Sequence, residues 1–145
     1  MRKVKVGFCF IFLLLNFSVL AQYNWEELTG TWVIDIAASE KIASKEDIEH
    51  YFRGEFAEIF KTIEYEFFKE DNRQYFIRRR KPAGKPVVSS DKIYYDIYGK
   101  DLFHVGQNWY KILEFSKDKL VLEYRDDTGL HHFFVDKIVL KREVK

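Results

Sequence analysis

Leu28-Thr29-Gly30-Thr31-Trp32 stands at the head of a run of short alternating segments that fills most of the rest of the chain. Successive side chains on a strand point to opposite faces. Over Thr31–Ile36, therefore, Trp32, Ile34 and Ile36 share one face while Thr31, Val33 and Asp35 share the other. The larger apolar set is expected to point inward. A Gly-x-Trp at the head of a small β-rich chain suggests a closed barrel.

Outward from that strand, Ser44-Lys45-Glu46-Asp47 reads as a helix start, with the Ser44 hydroxyl placed for an early amide and Asp47 near the helix's positive end. Ile48, Phe52, Phe56, Ile59, Phe60 and Ile63 follow at three- and four-residue steps, which predicts one amphipathic helix over Ser44–Lys61. From about Thr62 the period drops to two, with Ile63, Tyr65 and Phe67 set against Glu64 and Glu66. After the polar turn Lys69-Glu70-Asp71-Asn72, strands are expected at Arg73–Arg80, Lys92–Tyr98, Leu102–Val105, Trp109–Phe115, Lys119–Arg125 and Leu130–Arg142, the last bending near Asp136. Pro82-Ala83-Gly84-Lys85-Pro86 imposes a loop, because proline fixes φ and cannot donate to a ladder. Turn chemistry at Gly99-Lys100-Asp101, Gly106-Gln107-Asn108, Ser116-Lys117-Asp118 and Asp126-Asp127-Thr128-Gly129 completes the pattern of a meander barrel or sandwich.

Upstream, Arg2, Lys3 and Lys5 precede the apolar run Val6–Leu15 and the small-residue exit Val19-Leu20-Ala21, so residues 1–21 read as a cleavable secretory signal. The run is short for a spanning helix and is interrupted by Asn16 and Ser18, so no stable membrane anchor is expected. The single cysteine, Cys9, lies inside the signal, which leaves residues 22–145 as one domain stabilised by packing alone in the periplasm or outside the cell. Removing Met1–Ala21 takes three of 24 basic residues and none of the 23 acidic ones. The resulting near-neutral domain argues against nucleic acid as a partner. Aromatic residues make up 18% of the chain, which fits a β-rich core and a ligand-stacking surface.

With these residues in hand, the chain resembles the calycin group: lipocalins, fatty-acid-binding proteins and, most closely, the bacterial lipocalin-like domains. The likeness rests on Leu28-Thr29-Gly30-Thr31-Trp32, on the stretch Tyr110-Lys111-Ile112-Leu113-Glu114-Phe115-Ser116-Lys117-Asp118-Lys119-Leu120-Val121-Leu122, and on a basic residue in the final strand. The resemblance implies an antiparallel meander β-barrel of about eight strands with one helix after the first strand, as in fatty-acid-binding proteins. It also implies that Gly30 permits a tight start to the first strand, that Trp32 plugs the barrel base, and that Arg142 packs over the indole. Arg142 is preferred to Lys141 because it shares parity with Ile138 and Leu140. The second and third lipocalin motifs are not found.

If the strands close, Tyr65, Phe67, Tyr75, Ile77, Tyr95 and Tyr124, together with Ile93 and Leu122, share the inward parity and are the candidate ligand-binding residues. Within Arg78-Arg79-Arg80-Lys81, Arg79 follows Tyr75 and Ile77 onto that face, where a guanidinium offers a planar fork for a carboxylate or other anionic head. The same run also reads as a solvated strand end. His131 and His132 are adjacent and face opposite ways on a strand, so they do not form a metal site, and no cofactor is expected. The domain has no cysteine nucleophile, no glycine-flanked serine elbow, no phosphate loop and no acid/base pair, since Glu64 and Glu66 are ordinary outward residues. The expectation is therefore a non-enzymatic exported barrel that binds a small apolar or amphipathic molecule, with Ser44–Lys61 as its lid. The alternative is a cell-envelope protein-protein interaction or inhibitor module with a filled barrel. Its contact patch would be Tyr94 and Tyr98 flanking Asp96.

Overall fold

The computed structural model describes residues 24–125 and 132–144. The expected export segment Met1–Ala21 lies outside them, as do Asp126, Asp127 and His131. Gly30–Ile34 forms β1, with Trp32 and Ile34 buried as the alternation predicts. Seven longer strands follow along with one very short one. They are β2 (Ile63–Glu70), β3 (Arg73–Arg80), β4 (Val88–Ser89), β5 (Ile93–Tyr98), β6 (Leu102–Val105), β7 (Asn108–Phe115), β8 (Lys119–Tyr124) and β9 (Lys137–Arg142). Every pairing is antiparallel, and the sheet closes in the order β1, β2, β3, β5, β6, β7, β8, β9 and back to β1. The fold is thus a mainly β, eight-stranded meander barrel, with β4 lying beside Arg79 and Arg80 at the end of β3.

Tight turns set the register. Asp71 and Asn72 both adopt positive φ, 49° and 61°, which is the two-residue hairpin geometry whose twist matches the flanking strands. They pair Glu70 with Arg73, and the ladder then runs Phe68 to Tyr75, Phe67 to Phe76 and Tyr65 to Arg78. Directly paired residues share a face of the sheet. Phe76 and Arg78 therefore stand with Tyr65 and Phe67 on the inner face, and Tyr75, Ile77 and Arg79 stand on the outer one. The inward placement expected for those three residues is corrected by this register. Phe76 is 0% exposed, whereas Tyr75 lies outside between Phe68 and Tyr94, with ring centroids 5.9 and 6.0 Å away.

The helical region follows β1 as expected, but in short pieces. Ile36–Glu40 is an added helix, capped by Asp35, whose carboxylate accepts from the Ala38 amide at 3.1 Å. Buried Ser39 ties it to β9: its hydroxyl donates to the Val139 carbonyl at 3.2 Å and accepts from the Val139 amide at 2.9 Å. Ser44 does cap the next segment, accepting from the Asp47 amide at 3.1 Å. The single helix expected over Ser44–Lys61 divides into Lys45–Asp47, a π-helical turn Ile48–Phe52 and Ala57–Phe60. The division falls at Gly54, where any side chain would run into the carbonyls of Glu49 and His50.

The final strand begins only at Lys137, so residues 132–136 are not the strand expected there. Phe134 adopts φ 71°, a left-handed conformation that a bulky residue rarely takes, and this breaks the extended backbone. The break turns fully buried Phe133 into the mouth of the barrel. There its ring lies 4.9 Å from Tyr65, 5.1 Å from Tyr110 and 5.7 Å from Phe76. Below it Phe67, Phe76, Tyr95 and Phe103 contact one another, down toward Trp32 at the base. An aromatic column thus occupies the lumen.

Candidate functional site

The base of the barrel is knit by Arg142. Its guanidinium lies 4.4 Å from the Trp32 ring centroid and donates to the carbonyls of Lys117 (2.7 Å), Thr29 (2.8 Å) and Glu27. The Trp32 indole N–H donates to the Leu28 carbonyl at 2.8 Å. Gly30, at φ 130°, leaves the space the guanidinium uses: a Cβ there would come 2.6 Å from Arg142 Nη1. Gly30, Trp32 and Arg142 therefore form one closed unit. Each of the three guanidinium nitrogens donates to a backbone carbonyl, so the group is committed to holding the base together.

The opposite end is different. A cleft of ≈ 510 Å³ opens at the barrel mouth. Phe56 and Ile59 reach it from the helical region, Ile63 and Val88 from the sheet, and Phe134 from the segment above Phe133. Arg78 and Arg80 supply its charge.

The four cations of Arg78–Lys81 divide by face. On the outer face Arg79 Nη1 pairs with Glu66 and sits 3.8 Å from Glu64, and Lys81 Nζ sits 2.7 Å from Glu64. Glu64, though buried, is thereby held between two cations. On the inner face the β2 residues opposite Arg78 and Arg80 are Tyr65 and Ile63, which carry no negative charge. Arg78 Nη1 donates to the His132 carbonyl at 3.3 Å, and its guanidinium lies 4.8 Å from the Phe134 ring centroid. The Arg80 Nε is buried with no hydrogen-bond partner. Among the described residues neither Arg78 nor Arg80 has a carboxylate within ion-pair distance.

Burial disfavours the charged forms of the ionisable groups below the cleft. Burial pushes the Tyr65 phenol well above its ordinary range despite the nearby Arg78 charge, and it pushes Tyr110 up to about 12. Burial, then the Arg78 charge, holds His132 below the usual imidazole value. The Tyr65 hydroxyl donates to the His132 carbonyl at 3.4 Å, and the Tyr110 hydroxyl accepts from the His132 amide at 3.0 Å. Among the described residues, the lining of the cleft thus carries two cationic side chains and no acidic one.

The residues expected to line a ligand site fall into three places. Tyr65, Phe67 and Tyr95 point inward and pack into the aromatic column. Tyr124 is half-buried at the mouth, its ring 5.3 Å from Tyr110 and its hydroxyl 3.4 Å from Asn108 Oδ1. Tyr75, Ile77 and Arg79 lie outside the barrel, and Arg79 is occupied by acids. Parity alone missed Arg78, Arg80 and Phe134. The signal that finds the first two is Asp71-Asn72, whose two-residue turn fixes which residues of the next strand face in. His50 packs edge-on against Tyr51 and His104 stacks on Trp109, so both rings serve in packing contacts. A second cleft of ≈ 600 Å³ lies near the base between Trp25, Phe68 and Tyr95. Its rim carries exposed Glu26 and Lys69, charges of both signs, so it lacks the one-sided field of the mouth.

No family model, curated protein or solved structure matches this chain.

Proposed function

We propose that the protein is an exported, non-enzymatic binder of a small apolar or amphipathic molecule, held at the mouth of the barrel. The observation that carries this reading is the cleft between Phe56, Ile59, Ile63 and Phe134, whose ≈ 510 Å³ lies within the range of small-molecule sites. Apolar walls supply binding energy, and a few polar groups fix orientation. The barrel interior favours this place over the lumen, because rings already in mutual contact leave a guest little to displace. The helical region supplies Phe56 and Ile59, so its movement gates access. Export to the periplasm or beyond, after loss of residues 1–21, belongs to the same proposal. So does kinship with the bacterial lipocalin-like domains, which the Gly30–Trp32–Arg142 base and the helical region after β1 support.

Native mass spectrometry of the mature protein, purified gently from its exporting cell, tests the reading. A discrete small molecule that leaves on denaturation is expected. A bare protein that also takes up no apolar probe contradicts it.

One surface favours the other reading, an envelope interaction module. Tyr94 and Tyr98 are 45% and 48% exposed, and both hydroxyls donate to Asp96, at 2.5 and 3.4 Å. The Tyr98 ring continues into the His104–Trp109 stack. A copurifying polypeptide lost on replacing both tyrosines with serine would favour that module.

A further inference from the structure

We propose that the mouth cleft takes the anionic head of an amphiphile, with Arg78 and Arg80 as its two cationic contacts. This rests on the binding reading above and names the ligand class it left open.

Charge divides along one strand. Arg79 and Lys81 are answered by Glu64 and Glu66, so the chain does supply carboxylates to cations of this run. Arg78 and Arg80 are two residues apart on the same strand, and among the described residues neither has a carboxylate within ion-pair distance. Both line one cleft, and the Arg80 Nε is shut away from water without an acceptor. A buried donor left unpaired is unfavourable. Guanidinium presents a planar fork that fits the paired oxygens of carboxylate or phosphate. Arg78 is already oriented for this: its stacking on Phe134 and its bond to the His132 carbonyl hold the plane in place and leave its other N–H donors available.

The tail follows from the rest of the lining. Phe56, Ile59, Ile63, Val88 and Phe134 are apolar and lie beside the arginines, with Ser89 and Ser90 the polar remainder. Val88 is 55% exposed, so the cleft opens outward and a chain can enter it from solvent. A free inorganic anion would leave those walls uncovered, whereas an amphiphile uses both halves of the site.

The test is isothermal titration of the exported protein with decyl phosphate, decanoate, decanol, decyltrimethylammonium and inorganic phosphate, each below its aggregation concentration. The proposal expects decyl phosphate and decanoate to bind at least about tenfold tighter than decanol, and decyltrimethylammonium to bind more weakly than decanol. Arg80→Gln removes the charge of a half-buried side chain whose Nε has no hydrogen-bond partner, and is expected to fold. It lowers decanoate affinity about tenfold and leaves decanol within about twofold, while Arg80→Lys keeps most of the preference for anions. Arg78→Gln gives the same pattern, with thermal unfolding as the check that Phe134 stays in place. Equal binding of decanol and decanoate, unaffected by either variant, overturns the anionic head and leaves the cleft reading standing. Inorganic phosphate binding as tightly as decyl phosphate overturns the amphiphile while keeping the arginines as an anion site. Failure of the entire series to bind overturns the cleft itself.

Discussion

Phe67 and Phe76 face each other across the β2–β3 hairpin with ring centroids 5.3 Å apart, and this pairing decides which cations of Arg78–Lys81 reach the barrel mouth. Shift the register by one residue and Tyr75, Ile77 and Arg79 would turn inward instead. Truncation distinguishes the two arrangements. Phe76→Ala is expected to cost about 3–5 kcal/mol of unfolding free energy, and Tyr75→Ala, from the outer face, about 1 kcal/mol or less. Urea denaturation measures both, and similar costs would contradict the register.

The turn that sets this pairing makes its own prediction. Asn72 sits at φ 61°, where a β-branched residue is strained. Asn72→Val is therefore expected to destabilise by about 1–2 kcal/mol, whereas Asn72→Gly is tolerated, because Asp-Gly is a preferred pair in two-residue turns. The contrast between the two variants in one denaturation series checks the backbone conformation.

At the base, Gly30 and Arg142 compete for the same space. Gly30→Ala forces a Cβ toward Nη1 and strains a φ of 130°, for an expected loss of about 2–3 kcal/mol. Arg142→Ala loses its carbonyl contacts and the stacking on Trp32, about 2–3 kcal/mol in total. The double variant should lose less than the sum of the two, since removing the guanidinium relieves the clash. Strict additivity in a double-mutant cycle would show that the two residues do not share this space.

His132 ties stability to pH. Its folded value lies below its unfolded one, through burial first and the neighbouring Arg78 charge second. Above about pH 6.5 both states are neutral and the residue contributes nothing. As pH falls through that value the unfolded chain takes up the proton first, so stability declines until the folded pKa is passed. His132→Gln should flatten this decline as pH falls through the ordinary imidazole value, and urea midpoints measured across it give the slope. Unchanged slopes would mean that the imidazole is not held neutral.

On the proposed reading, Arg80 gives up stability for binding. Arg80→Met removes a buried donor that has no acceptor and adds apolar contact with Ile63 and Phe56. The variant is expected to gain about 1 kcal/mol while losing affinity for anionic amphiphiles, the pattern of a site kept at some cost to the fold. Thermal unfolding and titration on the same preparation report the two effects.

Much of this fold was readable because alternation was unambiguous where only one parity was apolar. Trp32 and Ile34, Tyr65 and Phe67, and Leu122 all face inward as their spacing implies. Arg73–Arg80 was ambiguous because Tyr75 and Ile77 on one parity flank Phe76 on the other, and only the positive-φ pair Asp71-Asn72 breaks the tie. The helix start at Ser44 was legible from its cap. The helix's division at Gly54 depends on close approach of backbone carbonyls, which periodicity does not register. Phe133 and Phe134 were the least legible. Two consecutive phenylalanines look like strand, and the left-handed Phe134 is imposed by contacts with Arg78, Phe60 and Tyr51 from distant parts of the chain. The cleft depends on the same two features, since its arginines come from β3 and part of its lining from Phe134.

NMR chemical-shift mapping of the isotope-labelled mature protein titrated with decanoate locates the ligand. Saturating shifts are expected at Phe56, Ile59, Arg78, Arg80 and Phe134, with the ring signals of the packed interior at Phe67, Tyr95 and Phe103 unmoved. Shifts centred on those interior rings, or on Tyr94 and Tyr98 alone, would place binding elsewhere and contradict a site at the mouth.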